Sequence, residues 1–286
     1  VKGNHRYMKD RVLSGVTLVA FFMAIVVFNR SFPLALNIAI AFISALAVFE
    51  VIKALELSDR WYITVPSMTA AVLVQFCEFQ QANIFIYSAF TACIFCALLR
   101  HHREITFKEM AVVYSMVVLI PLALQTIVLV RTLSDQHGMF YALVCVFSAW
   151  IPDAGAFFAG KIFGKHKLCP EISPKKTVEG AVGGVLGSMA AGCVLTLVYS
   201  LLSKTYNVLS IHVLARHYMV LLGMGAVASV LGILGDLFAS AVKRQAGIKD
   251  YGTIFPGHGG ILDRFDSVMF IAPFVSIAVR YFFYLL

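Results

Sequence analysis

The chain has 286 residues, of which 60% are hydrophobic and only 13% charged, with a formal net charge of +8. A soluble domain carries about 25% charged residues, and a soluble fold of this length has no core large enough to hide so much apolar surface. Composition and a mean hydropathy of +0.86 exclude an ordinary soluble globular protein and point to lipid as the solvent.

Crossing about 30 Å of hydrocarbon takes roughly 20 apolar residues. Runs of that kind fall at about 12–28, 33–52, 61–78, 83–99, 107–130, 138–160, 180–202, 218–240 and 267–286. The expected fold is all-α and polytopic, with about nine transmembrane helices. The first run follows Lys2, Arg6, Lys9 and Arg11 but lacks a small-residue cleavage site. It is expected to be a retained helix rather than a removed leader. The start at Val1 is expected to be a trimmed or replaced native terminus.

Lys and Arg concentrate in the gaps on one side. Eighteen of the 23 fall on the side of the N-terminus and four on the other, with Arg280 inside the last run. The positive-inside rule then puts the N-terminus and the charged loops in the cytoplasm and the C-terminus outside. Basic gaps suit anionic headgroups or an anionic substrate. No basic stripe lies on a soluble module, so nucleic acid is not an expected partner. The six cysteines read as small apolar residues. Cys93-x-x-Cys96 sits inside a run with no second pair, which argues against metal or redox use.

Two zones are expected, 1–135 with about five ordinary spans and 136–286 with about four spans and charged loops. In the second zone Asp153 follows Pro152 inside a run, and an ionisable residue within a span is a functional candidate. Gly183, Gly184, Gly187 and Gly192 suggest that the seventh helix packs closely on its neighbours.

The segment Ser173-Pro174-Lys175-Lys176-Thr177-Val178-Glu179-Gly180 opens that helix. A helix N-terminus flanked by lysines and hydroxyls favours phosphate. Ser173 or Thr177 also suits an N-cap.

The densest feature is LGDLFASAVKRQAGIKDYGTIFPGHGGILDRFDS, from Leu234 to Ser267. Asp236 ends an apolar helix, where a carboxylate is costly unless paired. Ser240 and Lys243 follow at i+4 and i+7 on the same face. Asp263 and Asp266 share a face at the start of the last helix. Between the two helix ends, Pro256-Gly257-His258-Gly259-Gly260 lets backbone N–H groups approach an anion. Lys243, Arg244, Lys249 and Arg264 suit phosphate oxygens, while clustered Asp oxygens suit Mg²⁺ together with substrate phosphates. The mixture fits metal-assisted phosphoryl or nucleotidyl transfer.

The run Ser240–Asp266 closely resembles the signature of the phosphatidate cytidylyltransferases, also called CDP-diacylglycerol synthases. Ser240, Lys243, Arg244, Lys249, Asp250, Pro256, His258, Gly259, Gly260, Asp263, Arg264 and Asp266 stand at the family's spacing. Ser173, Pro174, Lys176, Thr177, Glu179 and Gly180 match a second family element, with Val178 where Trp is frequent. The resemblance implies that CTP and phosphatidate give CDP-diacylglycerol and pyrophosphate with Mg²⁺, and leaves room for a second cation such as K⁺.

By the same resemblance, Asp236, Lys243, Asp263 and Asp266 are the catalytic set, with Asp236, Asp263 and Asp266 as metal ligands. Lys175, Lys176, Lys243, Arg244, Lys249 and Arg264 would hold phosphates. Ser173, Thr177, Ser240 and His258 would position substrate. Glu179, Asp250, Gly259 and Gly260 join the substrate-binding set, and Asp153 is added from its place in a span. Membrane lipids and a second copy in a homodimer are the expected partners, and a bacterial inner membrane is the expected location.

A CTP-dependent polyprenol or phytol kinase would use similar loops but transfer a γ-phosphoryl group, and the full signature argues against it. A lipid transporter would favour inverted repeats and a midplane site. Here the charge lies at one interface and no repeat is found.

Overall fold

The computed structural model describes residues 31–134, 138–205, 215–252, 254 and 259–282, with scattered positions between 17 and 29. Eight α-helices are complete enough to number. They are α1 (Ala35–Ala54), α2 (Trp61–Leu73), α3 (Gln80–Arg100), α4 (Phe107–Arg131), α5 (Gly138–Phe163), α6 (Val178–Thr205), α7 (Ala215–Gln245) and α8 (Leu262–Phe282). A two-stranded hairpin, β1 (Lys167–Cys169) and β2 (Ser173–Thr177), lies between α5 and α6. The expected all-α, polytopic fold is what the chain adopts.

Among the described residues, six helices are long and apolar enough to cross a membrane: Ala35–Ala54, Gln80–Arg100, Phe107–Arg131, Gly138–Phe163, Val178–Leu195 and Met219–Gln245. The protein is an integral membrane protein. Most of the first expected run, 12–28, lies outside the described residues. The third run is shorter than expected, because α2 stops at Leu73 and continues only as a 3-10 turn, Val74–Phe76. The last helix begins at Leu262, five residues before its apolar run, and so holds Asp263, Arg264 and Asp266 in its first turns, as expected of Asp263 and Asp266.

The chain forms two compact units that do not follow chain order. The first comprises Val1–Leu129 with Val242–Phe265, and the second Val130–Ala241 with Asp266–Leu286.

In the first unit α1 packs on α2, and α2 on α3. The break in α2 exposes carbonyls that lipid cannot satisfy. Buried amides meet that need. Gln125 Nε2 donates to Val74 O at 2.7 Å and Cys77 O at 2.8 Å. Gln75 Nε2 donates to Pro121 O at 2.9 Å, a carbonyl at the proline inside α4. Asn37 Nδ2 donates to Gln75 O at 2.8 Å, and Asn83 Nδ2 to Gln125 Oε1 at 2.8 Å.

In the second unit α5 and α6 pack along a seam of small residues. A Cβ on Gly155 would meet Gly183 O at 3.0 Å, and one on Gly184 would meet Pro152 O at 3.0 Å. A Cβ on Gly192 would reach Leu221 of α7 at 3.8 Å. The close packing expected from these glycines is present. All six cysteines are free.

Candidate functional site

The second unit carries one charged cluster. The hairpin pairs Lys167 with Thr177 and Cys169 with Ser173 in antiparallel register. It delivers the chain to α6, whose first turn is capped by Thr177: the Gly180 N–H donates to Thr177 Oγ1 at 3.1 Å. Thr177 is therefore an N-cap, as the sequence suggests, while Ser173 belongs to the strand. Glu179 ties the chain entering the hairpin to the start of α6. Its carboxylate accepts the N–H groups of Lys165 and His166 and contacts His166 Nδ1 at 2.6 Å.

Lys176, from β2, reaches α7. Its ammonium lies 2.7 Å from Asp236 Oδ2 and 3.5 Å from the Ile233 carbonyl. Ser240 Oγ donates to Asp236 Oδ1 at 3.3 Å, one turn along α7. The two charged side chains keep 22% and 30% of their surface open, so the pair is reachable from outside. Gly235 explains how α7 carries a carboxylate here. A Cβ at this position would strike Asp266 O and the Phe270 ring, each at 2.8 Å. Glycine thus lets α7 lie against the start of α8, and Ser267 Oγ ties the helices further by donating to Gly232 O at 3.2 Å. Asp266 is buried, and its Oδ1 accepts the Ser267 N–H at 2.7 Å.

The first unit carries the second cluster. Lys243, near the C-terminus of α7, donates to Asp263 Oδ1 at 2.6 Å, and both residues are buried. Asp263 Oδ2 accepts the N–H groups of Tyr251 and Gly260, each at 2.9 Å. The Tyr251 ring lies 5.5 Å from the Lys243 ammonium, within cation–π range. Gly259 adopts φ +83°, and a Cβ there would come within 2.6 Å of Asp263 Oδ2. Glycine is demanded at 259 by both backbone and space.

This geometry changes the expected use of the Gly-rich turn. The N–H groups of Tyr251 and Gly260 hold the chain's own Asp263. The next two, of Ile261 and Leu262, hold Glu50, at 2.9 and 2.8 Å. Glu50 carries no signal in the sequence reading: it lies in α1, more than 200 residues upstream. The available clue was an acid near the end of a largely apolar helix.

The remaining expected residues are placed as follows. Lys175, Arg244, Lys249 and Asp250 are exposed, and Arg244 Nη1 donates to Ile248 O at 3.4 Å. Arg264 is half-buried in the first turn of α8. Asp153 is exposed on α5. His258 lies outside the described residues, as do Pro256 and Gly257.

For a metal ion, the donor chemistry fits in a limited way. Among the described residues no three His, Cys, Asp or Glu side chains gather as a ready cage. Mg²⁺ does not need one, since it binds through one or two carboxylates, water and substrate phosphates. Asp236 and Asp263 each already hold a cation, a lysine ammonium, at 2.7 and 2.6 Å.

A model of the cytidylyltransferase family matches residues 9–282. The chain is similar to a phosphatidate cytidylyltransferase of Bacillus subtilis, 32% identical over 280 residues, covering 94% of this chain and 96% of that protein. Proteins of the same name from Staphylococcus aureus and Staphylococcus saprophyticus are 43% and 42% identical over 142 residues, half of each chain.

Proposed function

The chain belongs to the cytidylyltransferase family, and we propose that its reaction joins CTP to phosphatidate, giving CDP-diacylglycerol and pyrophosphate. The observation that carries this reading is the buried Lys243–Asp263 pair inside the family signature. An ammonium held at 2.6 Å by a carboxylate is oriented, with N–H donors left over for a phosphate.

The chemistry balances without a general base. A phosphatidate oxygen, already ionised near neutral pH, attacks the α-phosphorus of CTP. The bond from the α-phosphorus to the bridging oxygen breaks, and pyrophosphate leaves with the electron pair. Both reactants are anions, so the work left to the protein is charge neutralisation and orientation. Lys243 and Lys176 are assigned to phosphate oxygens, with Lys175, Arg244, Lys249 and Arg264 supporting them. Ser173, Thr177, Ser240 and His258 position substrate, alongside Glu179, Asp250 and Asp153, while Gly259 and Gly260 act through the turn that holds Asp263. Asp236, Asp263 and Asp266 are the carboxylates assigned to Mg²⁺, with a second cation such as K⁺ compatible with the same acids. Mg²⁺, when bound, would supply further neutralisation of phosphate charge.

The charged loops are assigned to the cytoplasmic face of a bacterial inner membrane, where CTP is found, with the C-terminus outside. The 18-to-4 distribution of Lys and Arg supports that orientation. Membrane lipids surround the apolar helices, and a homodimer is the proposed assembly.

The deciding experiment gives purified protein CTP, Mg²⁺ and phosphatidate. Release of pyrophosphate together with a CMP-bearing lipid is expected. Release of CDP with a newly phosphorylated lipid would identify a kinase instead, and no turnover would remove the enzyme reading.

A further inference from the structure

We propose that Glu50 is a positioning residue for the Asp263 carboxylate, an inference that rests on the reading of Asp263 as a metal-binding acid of this reaction. Glu50 sits one turn before the end of α1 and is only 3% exposed. An acid buried in so apolar a helix is costly unless its oxygens are satisfied. Both are: Oε1 accepts the Ile261 N–H at 2.9 Å and Oε2 the Leu262 N–H at 2.8 Å. Those donors open α8, where the helix leaves N–H groups without partners and its dipole favours a carboxylate.

Close packing adds a second, independent observation. A Cβ on Gly252 or on Gly260 would overlap the Glu50 carboxylate. The two ends of the loop are therefore pressed onto one side chain. Each neighbours a donor to Asp263 or is one itself: the Tyr251 and Gly260 N–H groups meet at Oδ2, both at 2.9 Å. Glu50 grips residues 261 and 262, and the adjoining peptide, through Gly260, grips Asp263. Asp263 in turn orients Lys243. The carboxylate thus sets the geometry of the signature from a helix that contributes nothing to it in sequence.

Glu50→Gln tests this. Glutamine keeps the size but turns an NH₂ toward one of two N–H donors. In the purified protein, the variant is expected to need about tenfold more Mg²⁺ for half-maximal turnover, the scale of other residues that orient a metal ligand. A residue that served folding alone would lower the yield of folded protein without moving the Mg²⁺ dependence of what remains. Amide hydrogen exchange supplies a readout free of activity. Exchange of the peptide covering residues 259–262 is expected to quicken about tenfold, as loss of one hydrogen bond implies, with α4 unchanged. Unaltered exchange, or a wild-type Mg²⁺ dependence, would overturn the proposal. If the wild type itself makes no CDP-diacylglycerol, the enzymatic reading fails and the exchange result still decides the contact. Should Glu50→Gln not fold, Gly252→Ala presses on the same carboxylate from the loop side, and the same two shifts are expected of it.

Discussion

Lys243 and Asp263 lie 20 residues apart in sequence and meet at 2.6 Å, with 11% and 3% of their side-chain surface open. Such a pair is a strong constraint rather than a strong stabiliser, because desolvation offsets much of its attraction. Removing one partner leaves the other buried without its counterpart.

Lys243→Met is expected to lower turnover by about 10²–10³-fold, the effect of losing one oriented donor to developing phosphate charge. Asp263→Asn is expected to abolish detectable turnover, since it removes a proposed metal ligand and unpairs Lys243. Both variants should elute as folded protein in detergent, with a lowered melting temperature. Wild-type turnover by Asp263→Asn would remove Asp263 from the metal site.

The Lys176–Asp236 pair gives a contrasting test. Partly open to solvent, it is worth about 0–1 kcal/mol to stability. Lys176→Met should therefore melt within a few degrees of wild type while losing about 10²-fold or more in turnover with CTP. Equal losses of stability and rate would mark the pair as structural.

Three glycines separate backbone need from open space. Gly259→Ala meets both φ +83° and Asp263 Oδ2, and Gly260→Ala meets the Glu50 carboxylate. Each is expected to lose most activity and at least about 1 kcal/mol of stability. Gly223, on α7, has nothing within 4 Å of an added Cβ. Gly223→Ala should be neutral or up to about 1 kcal/mol stabilising, with unchanged turnover. Thermal melts alongside initial rates check all three.

Gln125→Leu tests the amide network of the first unit. It strips donors from the Val74 and Cys77 carbonyls. Leaving such groups unpaired costs about 1–3 kcal/mol. The melting temperature should fall, while the rate per folded molecule stays near wild type.

Hydropathy and spacing carried much of the fold and the site chemistry. The helices Ala35–Ala54, Phe107–Arg131 and Gly138–Phe163 were legible because a span must be long, apolar and internally hydrogen-bonded. The same pattern missed the 3-10 turn at Val74–Phe76, where Gln125 meets the Val74 carbonyl and Asn37 the Gln75 carbonyl, amides from other helices that hydropathy does not connect to it. The charged signature announced Asp236, Lys243 and Asp263 by residue type and spacing, and Gly259 by its place in a turn.

Partnership was beyond the sequence. That Lys176 meets Asp236, that Lys243 meets Asp263, and that the N–H groups after Gly259 hold Asp263 and Glu50 rather than standing open are outcomes of packing. Periodicity reports which face of a helix is apolar, and it reports this locally. A hydrogen bond between residues 50 and 261 depends on where two helices come to rest. The sequence by itself determined a membrane-embedded chain with a phosphate-directed chemistry. Only the tertiary structure decided which acid each lysine neutralises and which buried carboxylate holds the loop in place.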